Sequence, residues 1–142
     1  MAQKQLNSNW FRKGFSLIEV MVTLAIIGIV TSVVLPSYQK IQSRAKSMAV
    51  KSVARTVQLA VEGYRFDEGS YPKGTKVSVS KLVETLNSSG DLAQIPKNPY
   101  TGQLYSKDDK EGAIEYSKTN DGYSLKVYGK SSSDLLETLE QF

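Results

Sequence analysis

Glu19 is the side chain whose chemistry fits its surroundings least. It stands in a run of 21 residues, Phe15 to Leu35, that contains no other charged side chain. A carboxylate at membrane depth costs about 3 kcal/mol or more, and such a residue usually serves a function. A buried carboxylate also needs a cation close to it. We therefore expect Glu19 to have a cationic partner and to be the leading functional residue of this segment.

The rest of the sequence offers little reactive chemistry. It contains no cysteine and no histidine, so disulfides and catalysis by either side chain are excluded. It also contains no Gly-rich phosphate-binding loop and no catalytic pairing of a nucleophile with a base. We predict that the protein is not an enzyme and that it has no catalytic residues and no resident cofactor.

Charge is distributed unevenly along the chain. The net charge is +4, but three basic residues precede Phe15, and without them 15 basic residues minus 14 acidic ones leave +1. No specific nucleic acid partner is implied. Residues 40–65 carry six basic residues and one acid, whereas residues 66–142 carry nine lysines and twelve acids. Either these two parts attract each other between copies of the chain, or their charges are simply solvated.

The element that must position Glu19 is an apolar helix. At 1.5 Å per residue, the run from Phe15 to Leu35 spans about 30 Å, the thickness of one bilayer core. Its small and hydroxyl-bearing residues suit close contact between helices in a membrane. Residues 1–14 are polar and basic without an apolar stretch, which is unlike an ordinary secretory signal peptide. We predict one membrane-spanning helix over residues 15–36.

The helix is predicted to continue beyond Pro36. Proline removes one backbone hydrogen bond, so we expect a kink at this residue rather than an end. An amphipathic pattern then covers residues 37–66, with apolar side chains at spacings of three and four. The predicted apolar face comprises Tyr38, Ile41, Ala45, Met48, Ala49, Val53, Val57, Ala60, Val61 and Tyr64. Turn residues at 67–72 are expected to end the helix.

Residues 67–142 predict a globular α+β head. Ser80 is expected to cap a short helix that carries three core residues, Leu82, Val83 and Leu86. Strands are predicted at 113–117 and 123–128, because alternating apolar residues flank an Asp-Gly turn.

Two further elements of the head are predicted from weaker signals. Residues 103–106 are a candidate third strand. Asp134 and Glu137 have the spacing of a capping box, which predicts a last short helix over residues 135–141. Three of the eight tyrosines are expected to pack in the core or between subunits, namely Tyr64, Tyr116 and Tyr123.

The residues around Glu19 resemble a known processing signal. The segment Arg12-Lys13-Gly14-Phe15-Ser16-Leu17-Ile18-Glu19-Val20 closely matches the type III signal of type IV prepilins. The resemblance implies a leader over residues 1–14 and cleavage between Gly14 and Phe15 by an inner-membrane prepilin peptidase. It also implies N-methylation of Phe15 and retention of Glu19 for assembly. In a filament, the Phe15 amine of one subunit can then pair with Glu19 of a neighbour and neutralise both charges.

The resemblance extends beyond the signal. Pro36 is the twenty-second residue after the cut, where pilins typically carry a proline. In the head, Tyr71-Pro72 is shared with the major pseudopilins of type II secretion, although their Asp-Pro-Trp-Gly departs here to Asn-Pro-Tyr-Thr-Gly at 98–102. The implied fold is pilin-like: a long N-terminal helix, transmembrane in its first half, packed on a small C-terminal antiparallel sheet. Major pseudopilins also bind calcium, for which the candidate ligands here are Asp108, Asp109 and Asp121.

The function implied by the resemblance is that of a structural filament subunit, either a pilin of a type IV pilus or a pseudopilin of type II secretion. Expected partners are copies of the chain, other pilin-like subunits, the prepilin peptidase, an inner-membrane assembly platform and, before assembly, membrane lipid. The chain would span the bacterial inner membrane once, with its head outside the cytoplasm, and then enter a filament in the periplasm or on the cell surface. The basic residues flanking the span favour the opposite orientation, so this orientation depends on the motif. The alternative is a membrane-tethered periplasmic binding protein that does not polymerise.

Overall fold

The computed structural model describes residues 14–141, which form two helices and four strands. In chain order the elements are α1 (Leu17–Glu68), β1 (Val77–Ser78), α2 (Val79–Ser89), β2 (Ile114–Lys118), β3 (Tyr123–Tyr128) and β4 (Leu135–Gln141). Internal contacts divide the chain into two units, with the boundary between Gln39 and Lys40. All of the predicted leader except Gly14 lies outside the described residues.

Helix α1 is a single element of 52 residues that continues through Pro36. The carbonyl of Ser16 accepts hydrogen bonds from the backbone N–H groups of Glu19 and Val20, which starts the helix. After Glu68, Gly69 adopts a left-handed conformation with φ +72°, and its N–H donates to the Arg65 carbonyl at 2.9 Å. This is a common way for a helix to end. The prediction of one long helix is confirmed, and the kink at Pro36 stays a prediction.

Burial on α1 begins only in its second half. All described residues up to Ala45 are exposed. The buried residues of the helix are Val50, Ala54, Val57, Ala60 and Val61. The predicted apolar face is therefore correct from Val53 onwards, but Tyr38, Ile41 and Met48 are exposed, and Val50 and Ala54 were missed. The reason is that the head covers α1 from Lys46 and Ser47 onwards, where Tyr100 contacts both.

The four strands form one antiparallel sheet in the order β1-β2-β3-β4. Strands β2 and β3 form the predicted hairpin, with Lys118 opposite Tyr123 and the Thr119 N–H donating to the Gly122 carbonyl at 2.9 Å. Along β3, alternate residues are buried, as the sequence predicted. The α+β architecture of a long helix packed on a small antiparallel sheet is thus confirmed.

The core lies between α1, α2 and the inner face of the sheet, and its largest buried side chains are tyrosines. Tyr116 and Tyr123 are buried, and Tyr64 packs against them in part, as predicted for the core. The Tyr116 hydroxyl donates to the Pro72 carbonyl at 2.8 Å, and the Tyr123 hydroxyl donates to Glu62 at 2.9 Å. Burial raises the pKa of both phenols well above the usual range.

The prediction of a helix at the end of the chain was wrong, because Leu135–Gln141 is strand β4. This strand pairs with β3 from Leu135 to Gln141, with one register shift at Leu136, and Leu139 lies opposite Leu125. Glu137 does not cap a helix; its carboxylate contacts Arg55 of α1. Pairing with a neighbouring strand therefore outweighs the helical propensity of a Leu- and Glu-rich segment.

Two smaller predictions were also wrong. Ser78, not Ser80, caps α2, since the Ser78 side chain accepts a hydrogen bond from the backbone N–H of Ser80 at 3.4 Å. Residues 103–106 do not join the sheet and form only a single bridge, between Leu104 and Lys97. The strand on that side of the hairpin is β1, a two-residue strand too short to leave an alternating pattern in the sequence.

Candidate processing and assembly site

Gly14 and Phe15 form an accessible peptide bond just before α1. Neither residue is part of the helix, and Phe15 is 82% exposed. A Cβ atom added to Gly14 would meet no atom within 4 Å. Packing in the described fold therefore does not require glycine at this position.

Glu19 is the third residue of α1 and its side chain is exposed. Within residues 14–141, no basic side chain lies at ion-pair distance from its carboxylate. The first turn of a helix favours a negative charge, but only by about 0.3–1 kcal/mol at an exposed site. That gain is smaller than the cost of placing a carboxylate in an apolar medium. A cationic partner for Glu19 therefore stays a prediction, and none lies within residues 14–141.

A local role for Glu19 also has to be considered. Ser16 and Glu19 also have the spacing of a capping box, a local signal that is present in the sequence itself. In that motif glutamine serves as well as glutamate, whereas only glutamate can neutralise a cation. The two roles can therefore be separated by one substitution.

Two threonine side chains in the apolar stretch of α1 have hydrogen-bond partners within the helix. Hydroxyl groups on α1 donate to carbonyls of the same helix, from Thr23 to Val20 at 2.8 Å and from Thr31 to Ile27 at 2.7 Å. Each hydroxyl proton thus has a partner that does not depend on water. The helix is long and apolar enough to cross a membrane, and none of its most apolar stretch is buried in the protein.

Comparison with known proteins agrees with this geometry. Residues 11–35 match the family model described as the prokaryotic N-terminal methylation motif. The chain is 30% identical over 122 residues to the type II secretion system core protein G of Klebsiella michiganensis. The aligned region covers 78% of this chain and 85% of that protein. The chain belongs to the family of type IV pilins and type II secretion pseudopilins. No solved structure gives a significant match.

The chain is also similar to proteins of this family that are named as pilins. It is 28% identical over 125 residues to the type IV major pilin protein PilE1 of Neisseria gonorrhoeae, covering 88% of this chain and 68% of that protein. It is 31% identical over 99 residues to a fimbrial protein of Neisseria meningitidis serogroup B, covering 69% of this chain and 58% of that protein. The relatives therefore include both a secretion protein and pilins.

The Asn-Pro-Tyr-Thr-Gly segment of this pilin-family chain fixes a loop against α1. Asn98 is fully buried; its side chain accepts from the Tyr100 N–H at 2.9 Å and donates to the Glu111 carbonyl at 2.8 Å. The Tyr100 hydroxyl reaches Ser47 of α1 at 3.0 Å. Gly112 has φ +64°, and a Cβ atom there would lie 2.6 Å from the Asn98 side-chain oxygen. The segment is thus explained by the packing of the loop.

The calcium candidates are not brought together as a metal site. One carboxylate oxygen of Asp109 accepts from the Ser106 N–H at 2.9 Å and from the Asn98 amide at 3.1 Å, so it serves the loop itself. Asp108 follows Ser106 in the same turn, and Asp121 lies in the β2–β3 hairpin. Among the described residues, no group of three or more Asp, Glu, His or Cys side chains is placed to hold a metal. Calcium binding stays a prediction, without support from this geometry.

Opposite charges on the helix and the head meet within a single chain. Glu137 on β4 lies 2.9 Å from Arg55 and 3.7 Å from Lys51, both on α1. Arg65 donates to the Tyr71 hydroxyl and lies over its ring at 4.7 Å. The charge segregation seen in the sequence thus serves in part to hold the head on the helix. At exposed positions each such pair contributes about 0.2–1 kcal/mol.

Proposed function

We propose that this chain is a filament subunit that is cleaved between Gly14 and Phe15, methylated on the new amine of Phe15, and polymerised into a pilus or secretion filament. The observation that carries the proposal is the exposed first half of α1. Soluble monomers rarely expose contiguous apolar patches beyond a few hundred Å². An exposed apolar helix must therefore be covered by lipid or by other helices. Family membership and the match to the methylation motif support a cover of lipid before assembly and of neighbouring helices afterwards.

The carboxylate of Glu19 gives the assembled state its register. Cleavage after Gly14 creates an α-amino group, which is largely protonated at neutral pH. When helices pack together without water, this amine and the Glu19 carboxylate of a neighbouring subunit each supply the counter-charge that the other lacks. A subunit placed one turn too high or too low leaves both charges unpaired. Pairing therefore selects one axial position for each incoming subunit.

The remaining partners follow from the processing steps. A prepilin peptidase must reach the Gly14–Phe15 bond, and the exposure of both residues supports access. An assembly platform must then extract the helix from the membrane. The prepilin signal implies that the leader lies in the cytoplasm and the head outside it. The protein has no catalytic part in these steps and acts as a structural subunit.

Filament recovery in the native host tests the proposal. The gene would be deleted and restored, and filaments would be sheared from cells, counted by electron microscopy and identified with an antibody against the head. We expect filaments that contain the protein, and we expect Gly14→Leu to leave full-length protein in the inner membrane. Filaments released by shearing would indicate a pilus on the cell surface, whereas filaments recovered only after the cells are opened would indicate a secretion pseudopilus in the periplasm. Protein that stays monomeric in the membrane beside working assembly machinery would contradict the proposal and favour the tethered binding protein.

A further inference from the structure

An apolar line of side chains runs along α1 on the side opposite its own core. Residues that are 7, 11 or 18 positions apart fall within about 20° of each other on an α-helix. Four exposed apolar residues have these spacings: Ile41, Met48, Leu59 and Phe66. Val50 and Val57, which are buried, lie on the other side of the helix. We call these four residues the outer line. It has no cover in the described part of the chain.

A second apolar surface lies at the side of the same helix. A cavity of about 870 Å³ opens between α1 and residues 91–97, and we call it the side groove. Its walls include Ala60, Leu92, Ile95 and Pro96, and Leu104 stands at its edge with 54% of its surface exposed. The side groove and the first half of the outer line are different surfaces of one chain.

Two different surfaces that fit each other generate an open polymer when the rotation between copies does not close into a ring. A contact between identical patches closes into a symmetric dimer, whereas a contact between unlike patches repeats from copy to copy. The proposed filament needs a contact of the second kind. The first half of the outer line and the side groove are two exposed apolar surfaces within residues 40–141 that could supply its two sides.

We infer that Ile41 and Met48 of one copy pack into the side groove of the next copy; this inference rests on the proposed filament function. The two side chains are 65% and 72% exposed and lie seven residues apart on one side of the helix. The contact extends subunit packing beyond the apolar first half of α1 to the heads. Leu59 is not the inserting residue, because it already lines the side groove of its own chain.

Charge favours the head as the partner of this segment. Lys40 and Arg44 flank Ile41, and neither has an ion pair within residues 14–141. Two copies of this basic segment would repel each other, whereas residues 66–142 carry twelve acids against nine lysines. The groove itself is lined by one residue of each sign, Asp91 and Lys97. The attraction therefore comes from the head as a whole.

The other end of the outer line is a poorer fit to the same groove. Phe66 is followed directly by Asp67 and Glu68, whose negative charge matches that of the head instead of complementing it. The segment that combines exposed apolar side chains with positive charge is thus the one around Ile41 and Met48.

Crosslinking in assembled filaments tests the contact, and the sequence suits it because the chain has no cysteine. One copy of the chain would carry Met48→Cys and another would carry Leu104→Cys. The two variants would be expressed together, and each would also be expressed alone. Filaments would be treated with a short bismaleimide, which tolerates a wider range of distances than a disulfide. We expect a crosslinked dimer from the co-expressed pair and monomer from either variant alone. Separate copies exclude a crosslink within one chain.

The matched control is Leu135→Cys, since Leu135 is 53% exposed and lies at the start of β4, outside the groove. Co-expressed with Met48→Cys, it should give no dimer. The inference is overturned by filaments in which the first pair does not crosslink, or by dimers from Leu104→Cys alone. If the wild-type protein forms no filaments, the proposed function itself fails, so the two failures are distinguishable.

A second measurement does not depend on cysteine chemistry. Leu104→Lys places a positive charge at the edge of the groove, where it would repel Lys40 and Arg44 of the next copy, and should lower filament yield at least tenfold. Because Leu104 is largely exposed, the melting temperature of the head should not change. Wild-type filament yield from this variant would overturn the inference.

Discussion

Replacing Glu19 by glutamine separates the two roles open to this side chain. Glutamine keeps the capping-box spacing to Ser16 and can still support the first turn of α1. It cannot neutralise the amine of Phe15 in a neighbouring subunit. We expect Glu19→Gln to be cleaved normally, because the scissile bond lies four residues away, but to be lost from filaments.

The expected sizes of the two effects differ widely. Removing one partner of a buried ion pair costs about 3–5 kcal/mol, because the other charge remains buried without compensation. At about 1.4 kcal/mol per tenfold change, incorporation falls by roughly a hundredfold to several thousandfold. If Glu19 only complemented the helix terminus, the loss would be about 1 kcal/mol at most, or roughly fivefold. A filament assay that can measure a loss of yield of about a hundredfold distinguishes the two cases.

The assay compares filament yield from strains that express mutant and wild type alone and together. Sheared filaments would be quantified by immunoblotting, and the mass of the membrane-bound protein would report cleavage. The control is Thr23→Val on the next turn, where the lost hydroxyl donated only to the Val20 carbonyl of its own helix. We expect Thr23→Val to assemble normally. Normal filaments from cells carrying only Glu19→Gln would refute the pairing mechanism, as would equal losses from both variants.

Three further predictions concern the head. A truncated protein beginning at Lys40, where the second contact unit starts, should be a folded, soluble monomer by circular dichroism and gel filtration. In it, Leu125→Ala should cost about 2–5 kcal/mol in urea unfolding, because Leu125 is fully buried. Burial raises the folded-state pKa of Tyr116 and Tyr123, so their contribution to stability is complete below the unfolded pKa of about 10 and is lost above it. The melting temperature should therefore fall as the pH rises past about 10, and less steeply in Tyr116→Phe.

The parts of the fold that could be predicted from the sequence are those with local signals. Helix α1 was predictable because its periodicity and the Gly69 stop are contained in one continuous segment. The β2–β3 hairpin was predictable from alternation on both sides of Asp121-Gly122. Strand β4 was not, because its pairing with β3 and the contact of Glu137 with Arg55 are decided by residues distant in the chain. A local capping pattern at Asp134 then pointed to the wrong element.

The residues of the candidate site also divide into those with a local sequence signal and those whose placement depends on distant parts of the chain. Gly14, Phe15 and Glu19 could be identified because the signal is short and continuous in sequence. The position at which the head begins to cover α1 could not, because it depends on the loop in which Asn98 and Tyr100 fold. That boundary leaves Met48 exposed and so creates the surface proposed to contact the next copy.

The mass of the subunit in purified filaments is the most direct test of the central claim, that the chain is processed and then polymerised. Filaments would be sheared from the native host, and the intact mass and the N-terminal peptide would be measured. We expect a subunit that begins at Phe15, carries one added methyl group on its amine, and lacks residues 1–14. Filaments built from subunits that still carry the leader would contradict it, because the amine that pairs with Glu19 would not exist.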